Sequence, residues 1–342
     1  MTVLAIESTC DETGAAVARS FGEPMVVEIL SNLKASSAEI HAKYGGVIPE
    51  IAAREQVAAI IPVISEAIAR AKIKVGGIEA IAVTQGPGLI GSLLTGVETA
   101  KTLALAWKKP LIAVNHMAAH VFANWIGEKT PELPAVALIV SGGHTDLMYL
   151  ESLTAWKWIG GTRDDAAGEA FDKAARTLGF SYPGGPMVAK AAEEAKTDLP
   201  VEMKLPRPMI YENNLEMSFS GLKTALAQVI EQNGERLSEN PGLINALARE
   251  FNQAVADVLI KKTMKATEQY RPKSVLLAGG VAANVTLREG LARAVKEAGK
   301  EFFCPNLEYC TDNAAMIAAC ALLRPNYVDP LKLRPNPGLE VR

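Results

Sequence analysis

Short apolar runs alternate with polar turns and with apolar residues at helical spacing, an order that is typical of α/β proteins. In the first part of the chain, this pattern predicts strands at residues 3–6, 15–18, 25–30, 78–83 and 111–114. The predicted helices of this part cover residues 51–71, in which Pro62 introduces a kink, and residues 89–107. A polar turn is predicted over residues 7–14.

The second part of the chain repeats this order, which predicts two duplicated α/β lobes although the halves share little sequence. The predicted strands are 135–140, 146–150, 156–159, 274–278 and 302–303, and the predicted helices are 166–178, 243–270 and 312–323. We expect a first lobe over 1–130, a second over 131–323 and an extended tail over 324–342. The last helix could pack against the first lobe instead of the second. The segment 197–221, which is rich in Pro, Asn and Met, is expected to be an irregular insertion.

Composition narrows the class of protein. The 342 residues, 49% of them hydrophobic, suffice for two packed lobes. The net charge of −3 argues against general attraction to polyanions, so a nucleic acid would need a local basic patch or helper proteins. The four cysteines lack C-x-x-C spacing, which favours reduced thiols. With neither a signal-peptide pattern nor a long uninterrupted apolar run, we expect a cytoplasmic protein without membrane contact.

Two histidines suggest a metal site. His116 and His120 are four residues apart, so on a helix their rings share one face. The pair could also be an ordinary helix face. A third ligand could come from His144 or from Asp312, although Asp312 also fits a plain helix N-cap. Two imidazoles and one carboxylate would leave open coordination positions, as a catalytic ion needs.

Three glycine-containing turns follow predicted strands, at residues 7–14, 141–145 and 279–284. Each could simply reverse the chain, but exposed backbone N–H groups in such turns also bind anions. The first turn carries the adjacent carboxylates of Asp11 and Glu12, which could face solvent or could position a metal ion or a water.

A series of ordered segments makes this chain resemble the TsaD family, the bacterial relatives of the archaeal and eukaryotic Kae-type proteins, once labelled O-sialoglycoprotein endopeptidase. The matching segments are 6–13, 44–50, 85–89, 115–120, 141–145, 164–172, 182–186, 218–224, 279–284 and 311–313. The resemblance implies the fold of actin, sugar kinases and Hsp70, with two lobes and a nucleotide cleft between them. It also implies transfer of a threonylcarbamoyl group from threonylcarbamoyl-AMP to the exocyclic amine of the adenosine next to the anticodon, in tRNAs that read ANN codons.

The resemblance further assigns residues, cofactors and partners. His116, His120 and Asp312 are implied as ligands of one divalent ion, iron or zinc. The implied substrate-phosphate loop is Ser141, Gly142, Gly143, His144 and Thr145, and the implied contacts to ribose and base are Asp172, Gly185 and Asn284. ATP or ADP could occupy the same cleft. TsaB and TsaE are the implied partners besides tRNA, and a TsaC-type synthase is expected to supply the intermediate.

Some roles remain open at this point. Asp11 and Glu12 are the candidates for the group that accepts the proton of the adenine amine. Gln56 stands where many members of the family have histidine, so a role for that histidine in tRNA contact does not transfer to this chain.

Two other functions were weighed against the transferase. A glycoprotein metalloendopeptidase of the H-E-x-x-H type would need Glu directly after the first histidine, but Met117 occupies that position. A non-catalytic scaffold like TsaB is expected to lack the metal ligands.

Overall fold

The computed structural model describes residues 1–22 and 25–341. Its strands are β1 Thr2–Glu7, β2 Glu12–Phe21, β3 Val26–Ser36, β4 Ala80–Gly86, β5 Leu111–Asn115, β6 Ala135–Val140, β7 Thr145–Leu150, β8 Trp156–Gly161, β9 Ser274–Ala278, β10 Glu301–Phe303 and β11 Tyr327–Val328. Its helices are α1 Ala38–Ala42, α2 Pro49–Arg70, α3 Ile90–Trp107, α4 His116–Phe122, α5 Ala167–Thr177, α6 Gly184–Glu194, α7 Ser220–Gln232, α8 Gly234–Glu239, α9 Gly242–Tyr270, α10 Val285–Glu297, α11 Leu307–Cys310 and α12 Ala314–Leu323.

The first sheet has six strands in the order β11-β5-β4-β1-β2-β3. Strands β1, β4 and β5 are parallel, β2 and β3 continue the sheet as antiparallel neighbours, and β11 pairs antiparallel with β5. Helices α2, α3 and α12 pack against these strands. Because helices cover them, the central strands contain continuous apolar runs, as β1 does from Val3 to Ile6.

The second sheet repeats this topology with five strands in the order β10-β9-β6-β7-β8. Strand β6 takes the place of β1, with two parallel neighbours on one side and an antiparallel meander on the other. The predicted duplication of two α/β halves is therefore confirmed. Within the described chain, no helix combines the length and the apolar character that crossing a membrane would require.

The chain forms two compact units, Met1–Pro131 with Pro305–Arg342 and Glu132–Cys304. The segment 305–323 thus belongs to the first unit, whereas the sequence analysis placed it in the second lobe with the option of packing back. The reason lies in α12, whose nine residues from Ala314 to Leu322 are all buried. A helix that is apolar on every side must be buried on every side. Helix α12 is buried by packing against β1, β2, β3 and α4 of the first unit.

Candidate functional site

Two histidines occupy successive turns of one short buried helix. Strand β5 ends at Asn115, whose side-chain oxygen accepts a hydrogen bond of 3.0 Å from the backbone N–H of Ala118 and so caps α4. His116 is therefore the first helical residue, and His120 lies one turn later on the same face. Every residue of α4 is buried, so both imidazoles lie inside the first unit.

Asp312 completes a group of three ligand atoms with these histidines. Its Oδ1 lies 3.4 Å from Nε2 of His116 and 3.3 Å from Nε2 of His120. The two rings meet edge to face, with centroids 4.7 Å apart. In a tetrahedral zinc site the ligand atoms lie about 2.0–2.1 Å from the ion and hence about 3.3 Å from one another. Both distances from Asp312 match this spacing, and the three ligand atoms all lie within 4.8 Å of one another, so the group could hold a divalent cation.

The interpretation of Asp312 as a plain N-cap is wrong. The N-cap of α12 is Asn313, whose side-chain oxygen accepts a hydrogen bond of 3.0 Å from the backbone N–H of Met316. The carboxylate of Asp312 faces the histidines instead. His144, the other candidate for a third ligand, lies in the second unit.

The protonation of the two histidines differs because their surroundings differ. Burial lowers the pKa of His120, and within the described residues neither of its ring nitrogens makes a hydrogen bond. Burial also acts to lower the pKa of His116, but the carboxylates of Glu7 and Asp312 outweigh it and raise this pKa to about 10. Burial opposes ionisation of Asp312 as well, yet the charge of His116 holds its pKa well below the ordinary value.

These observations fit a bound divalent cation. Two unbonded nitrogens on a buried imidazole are costly unless another electron-pair acceptor takes up the lone pair. Two carboxylates beside two imidazoles also leave negative charge that a divalent ion would balance. Histidine nitrogen and carboxylate oxygen suit both zinc and iron(II).

Glu7 belongs to this site, and the sequence analysis missed it. Its Oε2 lies 3.2 Å from Nδ1 of His116, the ring nitrogen that faces away from Asp312. The only signal in the sequence was an acidic residue directly after four apolar residues of a predicted strand, and that signal identified no partner.

The turn that holds Asp11 and Glu12 is fixed from two neighbouring elements. The side-chain amide of Gln56 on α2 donates to the carbonyl oxygens of Cys10 at 3.0 Å and Glu12 at 3.1 Å. The carbonyl of Asp11 accepts from both the backbone N–H and the hydroxyl of Ser37. Gln56 thus has a structural role here, holding the backbone of the candidate acids in place.

The surroundings of Glu12 make its carboxylate a better proton acceptor than an ordinary glutamate. Burial raises the pKa of its carboxyl, against the opposing effect of Lys34, whose Nζ lies 3.6 Å from Oε1. Its other oxygen, Oε2, is buried and has no hydrogen-bond partner among the described residues.

In the second unit, residues 141–145 form a tight turn between β6 and β7. Ser141 and His144 close it, with a backbone hydrogen bond of 2.9 Å and a bond of 3.1 Å from the N–H of His144 to the Ser141 hydroxyl. Gly142 and Gly143 are exposed, and their N–H groups make no hydrogen bond within the part of the chain described here. These donors are available to an anion.

The N-terminus of α5 lies directly beneath this turn. A Cβ on Gly168 would come within 2.5 Å of the carbonyl oxygen of Ser141, so only glycine permits the approach. The backbone N–H of Ala167 donates to the buried hydroxyl of Thr145 at 2.9 Å. A helix N-terminus beside free N–H groups favours a phosphate.

Two further predicted contact residues are engaged within the second unit. Asp172 accepts a hydrogen bond of 2.7 Å from the N–H of Gly184, at the start of α6, and burial raises the pKa of its carboxyl despite that bond. Gly185 follows, with open space where a side chain would be.

Asn284 caps α10 with its side-chain oxygen and donates its amide to Asn252 at 2.7 Å. Its turn begins at Gly279, which has a φ of +91° and packs against the carbonyl of Val140, so the turns after β6 and β9 lie side by side.

Comparison with known protein families identifies relatives over nearly the whole chain. A family model described as TsaD, tRNA N6-adenosine threonylcarbamoyltransferase, matches residues 28–319. A tRNA N6-adenosine threonylcarbamoyltransferase of Moorella thermoacetica is 47% identical and covers 98% of this chain and 96% of its own length. The protein of the same name from Dehalococcoides mccartyi strain BAV1 is also 47% identical, over 95% of this chain and 94% of its own.

Solved structures agree on the fold at low sequence identity. Full-length HypF in its phosphate- and nucleotide-bound form superposes with a TM-score of 0.58 at 13% identity, covering 94% of this chain and 46% of HypF. Component A of the Acidaminococcus fermentans (R)-2-hydroxyglutaryl-CoA dehydratase superposes with a TM-score of 0.51 at 15% identity, covering 94% and 96%. The predicted actin, sugar kinase and Hsp70-like fold is thereby confirmed.

Proposed function

The chain belongs to the TsaD family of tRNA N6-adenosine threonylcarbamoyltransferases, and we propose that its reaction uses a divalent ion held by His116, His120 and Asp312. In this reaction, the exocyclic amine of the adenosine next to the anticodon attacks the carbamoyl carbonyl carbon of threonylcarbamoyl-AMP. A C–N bond forms, the bond from that carbon to the phosphate oxygen breaks, and AMP leaves. The tRNAs are those that read ANN codons.

The buried cluster of His116, His120 and Asp312 is the observation that carries the proposal. An iron or zinc ion held there would act as a Lewis acid on the negative charge that develops on the substrate. The protein's own contribution would be to hold three ligands for the ion at the spacing seen.

Residues of the second unit are proposed to bind the adenylate. The free N–H groups of Gly142 and Gly143, together with the N-terminus of α5, would hold its phosphate. Asp172 on α5 and Gly185 at the start of α6 would contact the ribose and base, while Asn284 would shape the neighbouring turn. The same groups would accept ATP or ADP.

The proton of the adenine amine needs an acceptor, and Glu12 suits this role better than Asp11. Glu12 combines a raised carboxyl pKa with a buried oxygen that makes no hydrogen bond within the described chain. The backbone hydrogen bonds from Gln56 and Ser37 would hold this carboxylate at a constant position.

We also propose the partners that the family resemblance implies. tRNA is the acceptor, TsaB and TsaE act in complex with this chain, and a TsaC-type synthase makes threonylcarbamoyl-AMP. The net charge of −3 supports a need for helper proteins in tRNA binding. The protease alternative finds no support, because Met117 is buried and the position after His116 offers no base.

A reconstituted transfer reaction tests this proposal. Purified chain, TsaB, TsaE, threonylcarbamoyl-AMP and unmodified tRNA should yield threonylcarbamoyl-adenosine, measured by mass spectrometry of the digested nucleosides. We expect His120→Ala to lower the rate at least about 100-fold, because a metal ligand is lost. Absence of product from the wild-type chain, with partners shown to be active alongside a known relative, would refute the function. Full activity of His120→Ala would refute the metal centre.

A further inference from the structure

Glu7 is a fully buried carboxylate at the end of the central strand of the first sheet. It is the last residue of β1, its exposed fraction is 0%, and the strand β4 beside it brings Thr84 to the same edge. Burial of a carboxylate is unfavourable unless hydrogen bonds replace the lost hydration. The hydrogen bonds of Glu7 should therefore show how its buried charge is stabilised.

Each oxygen of Glu7 has two partners. Oε1 accepts from the backbone N–H of Thr9 at 2.8 Å and from the Thr9 hydroxyl at 2.5 Å. Oε2 accepts from the hydroxyl of Thr84 at 2.5 Å and lies 3.2 Å from Nδ1 of His116. Because an ionised carboxylate only accepts hydrogen bonds, Nδ1 of His116 must carry the proton of the fourth bond.

We propose that Glu7 is a positioning residue for the metal centre, an inference that rests on the function proposed above. By accepting the Nδ1–H of His116, Glu7 fixes the tautomer in which Nε2 has a lone pair and points it toward Asp312. Histidine ligands generally depend on such an outer hydrogen-bond acceptor for their orientation and basicity. Thr9 and Thr84 hold the carboxylate itself in place.

His120 differs from His116 in that it lacks an outer hydrogen-bond acceptor among the described residues. Within the described chain, His120 has no hydrogen-bond partner on either ring nitrogen, and its Nε2 lies 3.3 Å from Oδ1 of Asp312, which is itself a proposed ligand rather than an outer partner. His116 is consequently the ligand whose orientation is set in advance of ion binding. Weakening the contact to Glu7 should therefore reduce affinity for the ion more than it reduces folding stability.

Metal titration of the purified chain tests the proposal directly. Glu7→Gln preserves the size of the side chain but replaces one carboxylate oxygen by an amide NH₂, which cannot accept a hydrogen bond. Depending on the orientation of the amide, the variant loses either the hydrogen bonds from Thr84 and His116 or those from Thr9. Zinc affinity is measured by chelator competition, and the ligand field by the visible spectrum of the cobalt(II) form. We expect about 10- to 100-fold weaker zinc binding and an altered cobalt spectrum.

Glu79→Gln, an exposed carboxylate whose Oε2 accepts from the backbone N–H of Thr2, is the matched control and should bind zinc like the wild type. Thermal unfolding of the metal-free proteins monitors the fold. If Glu7→Gln fails to fold, Thr84→Val, which removes a single donor to Oε2, is judged by the same two readouts.

The outcomes separate the two proposals. Wild-type binding with weaker binding by the variant supports the role of Glu7. Wild-type binding with an unchanged affinity and cobalt spectrum in the variant contradicts that role and leaves the metal centre standing. A wild-type chain that binds neither zinc nor cobalt contradicts the metal centre and the role of Glu7 together.

Discussion

Asp164 shows how one side chain can organise the start of a helix that lies far along the chain. Its Oδ1 accepts from the backbone N–H groups of Phe219 at 2.8 Å and Ser220 at 3.2 Å. Its Oδ2 accepts from the hydroxyls of Ser218 and Ser220. Since α7 begins at Ser220 without a side-chain cap of its own, Asp164 performs the capping from outside the helix.

This role of Asp164 predicts a pH-dependent stability effect. Burial acts to raise the pKa of Asp164, but the hydrogen bonds from residues 218–220 outweigh it and lower the pKa. A lowered folded-state pKa stabilises the protein above the ordinary aspartate pKa, and the gain is lost as the pH falls through the folded-state value. Asp164→Asn should cost about 1 kcal/mol at neutral pH, measured by urea unfolding.

The difference between wild type and Asp164→Asn should be constant down to about pH 4, the ordinary aspartate pKa, and should shrink as the pH falls further toward the lower folded-state value. A difference that stays constant below about pH 4 as well would show that the charge of the carboxylate contributes nothing. Asp198→Asn, whose carboxylate is fully exposed, serves as the control.

Lys34 should set the pH at which Glu12 becomes active as a base. Burial raises the pKa of Glu12, and the ammonium of Lys34 at 3.6 Å lowers it. The transfer rate should rise with pH as Glu12 ionises, and Lys34→Met should move that rise to higher pH because the positive charge is gone. The pH profile of single-turnover transfer measures both. An unmoved profile in Lys34→Met would argue against Glu12 as the base.

The sequence could point to His116, His120 and Asp312 as one group because two of them lie at helical spacing and the third follows a family motif, and the fold does bring the three together. The sequence could not identify Glu7, because its partners Thr84 and His116 are brought to it by the register of the sheet. A single acid at the end of an apolar strand has no partner at a fixed offset, so local pattern gives no signal. The structural role of Gln56 could not be predicted either, because its partners are the backbone carbonyls of Cys10 and Glu12, which are far from it in the sequence.

At the scale of elements, α2 and α3 pack together and expose an aliphatic surface. Val57 and Ile61 are one helical turn apart on α2, as are Ile90 and Leu94 on α3, and all four are at least 43% exposed. Each pair therefore lies on one face of its helix. We propose that this surface contacts the TsaB-type partner proposed above, since exposed apolar patches mark sites of contact with other proteins.

Ile61→Glu should therefore weaken binding of the TsaB-type partner at least about tenfold, the equivalent of 1.4 kcal/mol. Isothermal titration calorimetry measures the affinity, and thermal unfolding confirms that the variant is folded. Val201→Glu, at an exposed valine of the second unit, is the control. Equal affinities for the wild type and Ile61→Glu would place the contact elsewhere.

The C-terminal segment contacts β4 and the N-cap residue of α4, the helix that carries His116 and His120. Asn336 pairs with the carbonyl of Gln85 at 2.8 Å, and its own carbonyl packs against Gly86, where any side chain would collide. Asn115, which caps α4, donates its amide to the carbonyls of Leu339 and Glu340. The segment thus supports the residue that directly precedes His116.

Deletion of residues 334–342 should lower both the unfolding temperature and the zinc affinity, because the cap of α4 loses its outer partners. Asn115→Ala should reproduce the loss of zinc affinity with a smaller effect on stability. Calorimetry and chelator competition give the two readouts. A truncated chain with unchanged zinc affinity would show that the segment only covers the sheet.

Most elements could be predicted from apolar patterning, but their bounds and some helices could not. The strand at residues 135–140 coincides with β6, and the helix at 51–71 matches α2 closely, with Pro62 inside it. Helix α6 was missed because it begins with Gly-Gly-Pro, a sequence that ordinarily indicates a turn. Helix α7 begins inside the predicted insertion, where Asp164 supplies a cap that local sequence does not show.

At the scale of the whole molecule, the two sheets share one topology although their sequences diverged. An antiparallel meander beside a parallel extension requires only apolar strands in a given order, so many sequences satisfy it. That order was readable from the chain. The sequence does not predict that residues 305–341 belong to the first unit, because the apolar character of a helix such as α12 does not specify which surface covers it.

The association of the Asp312 carboxylate with His116 and His120 is therefore a product of the whole fold, and the proposed metal centre rests on it. Elemental analysis by mass spectrometry of the purified wild type and of Asp312→Ala tests it most directly. We predict one equivalent of iron or zinc in the wild-type chain and its loss in Asp312→Ala, whose fold remains intact by circular dichroism. An equal metal content in the two proteins would contradict the account.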